Sequence, residues 1–178
     1  NIGEAQDFPP LLRAAALTRE RPDIHWLIVG DGRAAEQVRH DIAHLGLADT
    51  VFMLGRHPVE RMPSFFAGAD ALLVSLKADP IFAMTIPGKV QSYLAAGKPV
   101  LGMLDGEGAR VIEEAGAGMV ACSGDAQTLA THAFALAGLA PAERAAMGSR
   151  GRAYCEREFK RTTLINQLES WLRNPAAP

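Results

Sequence analysis

Cysteine, aromatic side chains and any surplus of one charge are all scarce in this chain, and each shortage excludes a class of function. Two cysteines occur in 178 residues, Cys122 and Cys155. Their spacing fits no metal site and makes no disulfide framework, so both are read as reduced thiols of a cytosolic protein. Aromatic residues make up only 6%, too few for the stacked platforms that hold single-stranded nucleic acid. Eighteen basic residues stand against 20 acidic ones for a net charge of −2, so no basic surplus marks a nucleic-acid partner. No apolar run approaches the roughly 20 residues of a membrane-spanning helix, and no signal-peptide pattern is visible. A membrane-associated full-length protein remains compatible with this. No two histidines have metal-ligand spacing, so no metal is expected. The chain holds no nucleophile elbow, no Cys/His pairing and no carboxylate pair, and no catalytic residue is assigned.

What is present is a regular alternation of strand and helix. Short apolar runs at 25–29, 50–54, 71–74, 99–103 and 119–121 read as strands. Amphipathic or capped segments at about 7–19, 34–45, 61–67, 87–96, 109–115, 124–137, 141–159 and 161–172 read as helices. Asp7 is expected to cap the first helix, and 75–86 to form an irregular loop. Such alternation predicts an α/β fold, a doubly wound parallel sheet with right-handed crossovers, Rossmann-like in type. His25-Trp26-Leu27-Ile28-Val29 is nearly all apolar, the pattern of a strand covered on both faces. One domain over 1–172 is expected, with 173–178 as tail. Asn1-Ile2-Gly3-Glu4-Ala5-Gln6 reads as a turn that follows a strand, so the chain is expected to be a fragment of a longer polypeptide.

The most informative stretch runs from Thr85 to Leu101. Pro87 suits a helix start, where its missing N–H has no intrahelical role. Gly88 leaves room for a ligand against the backbone. Lys89 sets a cation beside the free N–H groups of the first turn, which makes an anion site with phosphate as its expected occupant. Gln91 and Ser92 lie one turn on, with Ser92 on roughly the same side as Lys89, either within reach of a ribose or simply at the surface. Gly97 closes the helix.

Three further candidates lie just beyond expected strand ends, where open α/β sheets bind ligands. Gly30-Asp31-Gly32 begins like a dinucleotide fingerprint, but position 35 is Ala35 and no ribose-binding acid follows the next strand. It is either a plain chain reversal or a close approach to a nucleotide. Arg56 is either a ligand contact or a solvated loop residue. Glu107, in a glycine turn, either contacts ligand or caps the next helix.

The order Val29-Gly30-Asp31-Gly32, Val51 to Arg56, Gly68 to Val74, then Ile86-Pro87-Gly88-Lys89 through Gly97-Lys98-Pro99-Val100 resembles the C-terminal domain of GT-B glycosyltransferases of family four. The likeness is nearest to WbuB-like bacterial surface-polysaccharide enzymes, and it covers nearly the whole chain. It implies a nucleotide-sugar donor as substrate, most often a UDP-sugar. It also implies an N-terminal acceptor domain absent from this chain and a lipid-linked acceptor; with the nucleotide sugar as substrate, no cofactor is expected. The diphosphate would lie on Pro87, Gly88, Lys89 and Val90, with Gly3, Gly30, Gly32, Arg56 and Thr85 around it, and Gln91, Ser92 or Glu107 on the ribose and sugar. The family's Glu-x7-Glu pair falls on Met84 and Ser92, so both carboxylates are missing. The turn at Gly3-Glu4-Ala5-Gln6 lacks the family's Arg and Lys, a charge that Lys89 would supply. The competing readings are a dinucleotide-binding oxidoreductase domain and a non-catalytic partner subunit.

Overall fold

The computed structural model describes residues 1–173; of the tail expected at 173–178, Arg173 ends the last helix and the rest lies outside the described residues. Five strands form among these residues: β1 (Trp26–Val29), β2 (Val51–Gly55), β3 (Leu72–Ser75), β4 (Val100–Met103) and β5 (Gly118–Ala121). Each starts or ends within a residue or two of its apolar run, where Gly, Pro or Asp breaks the pattern. Nine α-helices accompany them among the described residues: α1 (Phe8–Thr18), α2 (Ala35–His44), α3 (Met62–Gly68), α4 (Pro80–Ala83), α5 (Gly88–Ala96), α6 (Glu107–Glu114), α7 (Ala126–Gly138), α8 (Pro141–Glu158) and α9 (Arg161–Arg173).

All strand pairs are parallel, in two pieces: β1 with β2, and β3-β4-β5 with β4 central. One face is covered by α1, α2 and α7. There Leu12, Val38, Leu47 and Leu129 join Trp26, Val51, Leu101 and Met103 in a core that runs under both pieces. Trp26 is satisfied at depth, its indole Nε1 donating to Thr18 Oγ1 at 3.0 Å. The other face carries α5, α6 and α8 over Val74, Val100, Val111 and Ile112.

Helix α8 holds its neighbours by their carbonyl ends. Arg144 donates to Leu136 O and Leu139 O at the end of α7, and Arg150 to Gly116 O beyond α6. Arg152 donates to Ala95 O and Ala96 O of α5 at 3.3 and 3.0 Å. The last carbonyls of a helix lack intrahelical donors and carry its partial negative charge, so a guanidinium answers both needs.

Three expectations need correction. Asp7 does not cap α1 with its side chain: it sits in the left-handed region (φ 49°), closing a 3₁₀ turn over Glu4–Gln6 by donating its N–H to Glu4 O. The stretch 75–86 is not wholly irregular, because Asp79 accepts from Ile81 N and caps the single-turn α4. Strand β1 is not covered on both faces: Leu27 is 58% exposed, and Phe52 beside it on β2 is 37% exposed.

Candidate functional site

In a parallel sheet every strand ends on the same edge, so the loops after β1 to β5 share one rim. The chain leaves β1 toward β2 and leaves β3 toward β4, and residues 2–5 bond both Asp31 after β1 and Lys77 after β3, so the winding reverses between β1 and β3. That reversal opens a crevice, and ligands of such sheets settle in it. A cavity of about 370 Å³ lies there, lined by Asn1, Gly3, Glu4, Gln6, Gly32, Arg33, Lys77 and Phe82 among others.

Its walls follow from short backbone contacts. Ile2 N donates to Asp31 O at 2.9 Å and Ala34 N to Ile2 O at 3.1 Å. A Cβ on Gly32 would stand 2.2 Å from Ile2 O, so glycine is required there by the neighbouring chain. Gly30 has φ 139°, a conformation side chains rarely adopt. The turn's two glycines are thus needed for the fold whether or not a ligand binds. Across the crevice Lys77 N donates to Ala5 O at 3.0 Å, and Ser75 Oγ to Gln6 O at 2.7 Å.

Helix α5 enters beside this cavity. Pro87 is its cap (φ −60°, ψ 136°) instead of its first helical residue, and no side chain caps the helix. Val90 N turns back to Pro87 O, which leaves the N–H groups of Gly88 and Lys89 facing outward. Val90 and Leu94, one turn apart, are fully buried and anchor the helix. A Cβ on Gly88 would meet no protein atom within 4 Å. Gly88 is therefore dispensable to the fold, the reverse of Gly32. Lys89 is an exposed residue, yet the protein around its ammonium desolvates it and lowers its pKa. It also lies near Asn1. Among the described residues no ion pair engages Arg33, Lys77 or Lys89.

The residues expected to form the site divide into groups. Gly3 and Gly32 line the cavity, and Gly88, Lys89 and buried Val90 form the helix end beside it. Thr85 is exposed, with its hydroxyl donating to Phe82 O at 3.2 Å. Arg56 is exposed beyond β2 and is not among the cavity's lining residues. Ser92 Oγ donates to Gly88 O at 2.9 Å, spending its hydrogen within its own helix. Gln91 is exposed, and its carbonyl accepts from Cys155 Sγ. Glu107 opens α6 and is held by Arg110, with Nη2 at 2.7 Å; Arg110 keeps its carboxyl below the usual carboxylate range. Arg110 also reaches Glu114, to which Tyr154 donates at 2.9 Å, so Glu107 belongs to a surface network. Arg33 and Lys77 were not singled out in the sequence. Arg33 directly follows the Gly-Asp-Gly turn and Lys77 stands two residues past β3, which is the signal that could have found them. No group of three His, Cys, Asp or Glu able to hold a metal occurs among the described residues.

Taken together, these features define a doubly wound α/β domain with a cationic crevice at its switch point. Residues 3–138 match the family described as glycosyl transferases group 1, and the chain belongs to that family. It is 28% identical over 120 residues to the "Probable glycosyltransferase WbjE" of Pseudomonas aeruginosa, covering 66% of this chain and 29% of that protein. Among solved structures, it superimposes on HepE of Anabaena in complex with UDP and glucose with a TM-score of 0.80 at 22% identity, over 98% of this chain and 46% of HepE. It also matches the C-terminal domain of LpcC, a glycosyl transferase group 1 family protein of Francisella tularensis, at TM-score 0.73 and 16% identity, over 90% of this chain and 83% of that one. The fold is that of the Rossmann-like C-terminal domain of GT-B glycosyltransferases. The chain spans less than half the length of WbjE or HepE.

Proposed function

We propose that this chain is the donor-binding domain of a glycosyltransferase and that its crevice takes a nucleotide sugar, a UDP-sugar in the first instance. The observation that carries this reading is that Arg33 and Lys77 line the crevice while Lys89, at the uncapped start of α5, lies near Asn1 on its wall. A diphosphate there meets free N–H groups, the positive end of a helix and three cations without ion-pair partners. Arg33 and Lys77 stand beside the turn at Gly3-Glu4-Ala5-Gln6, whose own sequence offers no basic residue, and supply charge to it from neighbouring loops. In glycosyl transfer the nucleoside diphosphate departs as negative charge develops on it, and fixed dipoles and cations stabilise that leaving group. The complex of HepE with UDP and glucose supports the choice of nucleotide. The family-four assignment, the WbuB-like likeness, a role in surface-polysaccharide assembly and a lipid-linked acceptor belong to the same proposal, with the name of WbjE in support. No helix is long and apolar enough to cross a membrane among the described residues; the full-length protein is proposed to act at the cytoplasmic membrane surface.

Calorimetric titration of UDP and of NAD separates this from an oxidoreductase domain. UDP is expected to bind and NAD not to, with UDP affinity in EDTA within about tenfold, roughly 1.4 kcal/mol, of that with Mg²⁺. Tight NAD binding sinks the reading. A larger loss in EDTA, restored by Mg²⁺ or Mn²⁺, would instead place a metal among Asp31, Asp105 and Glu107.

Gly88→Val tests the backbone approach. The new side chain meets open space in the protein, so the melting temperature should hold within the small cost of helix propensity. UDP binding should fall below detection, because the valine methyl groups occupy the phosphate's place. Normal UDP affinity in the folded variant would remove the phosphate from this helix end.

A further inference from the structure

The 3₁₀ turn over Glu4–Gln6 forms one wall of the crevice, and its main chain is pinned from β3. Lys77 N donates to Ala5 O, and Ser75 Oγ to Gln6 O. Within the turn, Gly3 N donates to Gln6 Oε1 at 3.0 Å. The side chain of Gln6 thus reaches back over its own turn, as a glutamine or glutamate at this position commonly does to satisfy the first free amide.

That one bond settles which way the carboxamide lies. Its oxygen accepts and its nitrogen donates, so the atom that meets Gly3 N–H is the oxygen. Nε2, with two hydrogens, is the atom left over. Among the described residues no hydrogen bond engages it, and Gln6 is half-buried on the crevice wall. Glutamate would serve Gly3 N–H equally well, but it would set a second carboxylate in a crevice that Glu4 already lines. The amide instead brings an N–H donor. A free glutamine gives up much rotamer freedom to make a hydrogen bond. Gln6 has already given it up to Gly3, so its N–H groups are preorganised.

We propose that Gln6 is a recognition residue for the nucleotide sugar: with Oε1 locked by Gly3 N–H, its Nε2 donates to an oxygen of the diphosphate. This rests on the reading of the crevice as a nucleotide-sugar site. The diphosphate is the partner because Arg33 and Lys77 line the same crevice and draw negative charge into it. Gly3 then serves the ligand through Gln6, its own N–H being spent on that side chain.

Titration of UDP and of uridine into the parent chain, Gln6→Met and Gln6→Glu tests this. Methionine keeps the length of the side chain without an N–H. Glutamate keeps an acceptor for Gly3 N–H and replaces the amide by a charge. UDP should bind Gln6→Met about tenfold more weakly than the parent, the scale of one hydrogen bond to a charged group, and Gln6→Glu more weakly still. Gln6→Glu should keep the parent's melting temperature, because the turn keeps its cap. Uridine should bind all three alike. In the parent, the side-chain amide resonance of Gln6, identified by its loss in Gln6→Met, should move on saturation with UDP and stay in place with uridine. Parent-like UDP affinity in Gln6→Met, an unmoved resonance, or an equal loss of uridine overturns the proposal while the parent's binding of UDP leaves the reading of the crevice standing. A resonance that moves with UDP-glucose but not with UDP overturns the diphosphate as the partner. A parent that binds no UDP sinks the reading of the crevice, and this proposal with it.

Discussion

Replacing Gly148 with valine is expected to destabilise the domain by about 3 kcal/mol or more. Gly148 lies in α8 where that helix crosses the end of α5, and a Cβ there would stand 2.1 Å from Gly97 O and 2.6 Å from its carbon. The obstruction is backbone, which cannot swing aside as a side chain would. A Cβ on Gly151, three residues on, would stand 2.9 to 3.0 Å from the Ala117 Cβ and a Leu94 methyl, so the two glycines make one flat contact surface. Helix propensity pulls the other way, since any residue but proline improves on glycine inside a helix, by up to about 1 kcal/mol. Overpacking against main chain costs roughly 1–3 kcal/mol and sometimes more. Moving α8 away would also break the Arg152 hydrogen bonds. The clash wins. Urea denaturation of the variant checks the sign, and an unchanged or higher midpoint would refute the packing.

The second large effect concerns binding. Lys77→Ala combined with Lys89→Ala should weaken UDP by two to three orders of magnitude. Each hydrogen bond to a charged group contributes about 1.5–3 kcal/mol, and roughly 3–4 kcal/mol in total corresponds to that range. Uridine, with no phosphate, should bind the variant as it binds the parent. Parallel loss of both ligands would place the lysines at the base or the fold; loss of neither would put the diphosphate elsewhere. Lys89 gives an independent readout. Desolvation lowers its pKa in the free protein, so a bound diphosphate should raise it. UDP binding should therefore take up a fraction of a proton as pH rises toward the lysine's titration range, and be weakest above it.

The scaffold was legible because its signals are local. Each strand is an apolar run closed by Gly, Pro or Asp, and α5 announces itself by Pro87, Gly88 and Gly97 within eleven residues. The site was legible only where it too is local. Lys89 and Gly88 belong to one turn and could be read together. Arg33 and Lys77 are separated by 43 intervening residues and meet only because the winding reverses between β1 and β3, which no window of sequence displays. Ser92 and Glu107 show the opposite difficulty. Their types suit a ligand, but a helix offers each a nearer partner: the carbonyl four residues back for the serine, Arg110 three residues on for the glutamate. Asp7 has a cap's chemistry, but the 3₁₀ turn ahead of it dictates a backbone from which the carboxylate does not cap α1. Leu27 joins neither core cluster and stays exposed, which its own apolar character does not foretell.

Helix α5 has a different occupant in view at each end. Arg152 grips its last carbonyls, and its first amides have no side-chain cap and are proposed to meet the donor's diphosphate. At about 1.5 Å per residue the nine residues form a strut of roughly 14 Å between grip and crevice. A strut fixed at one end arrives at the other already aimed, so an incoming anion need not spend affinity on ordering it. The arginine thereby acts on ligand affinity from beyond any ligand's reach, and selection for tight donor binding would be felt on α8, a helix that contributes no residue to the crevice.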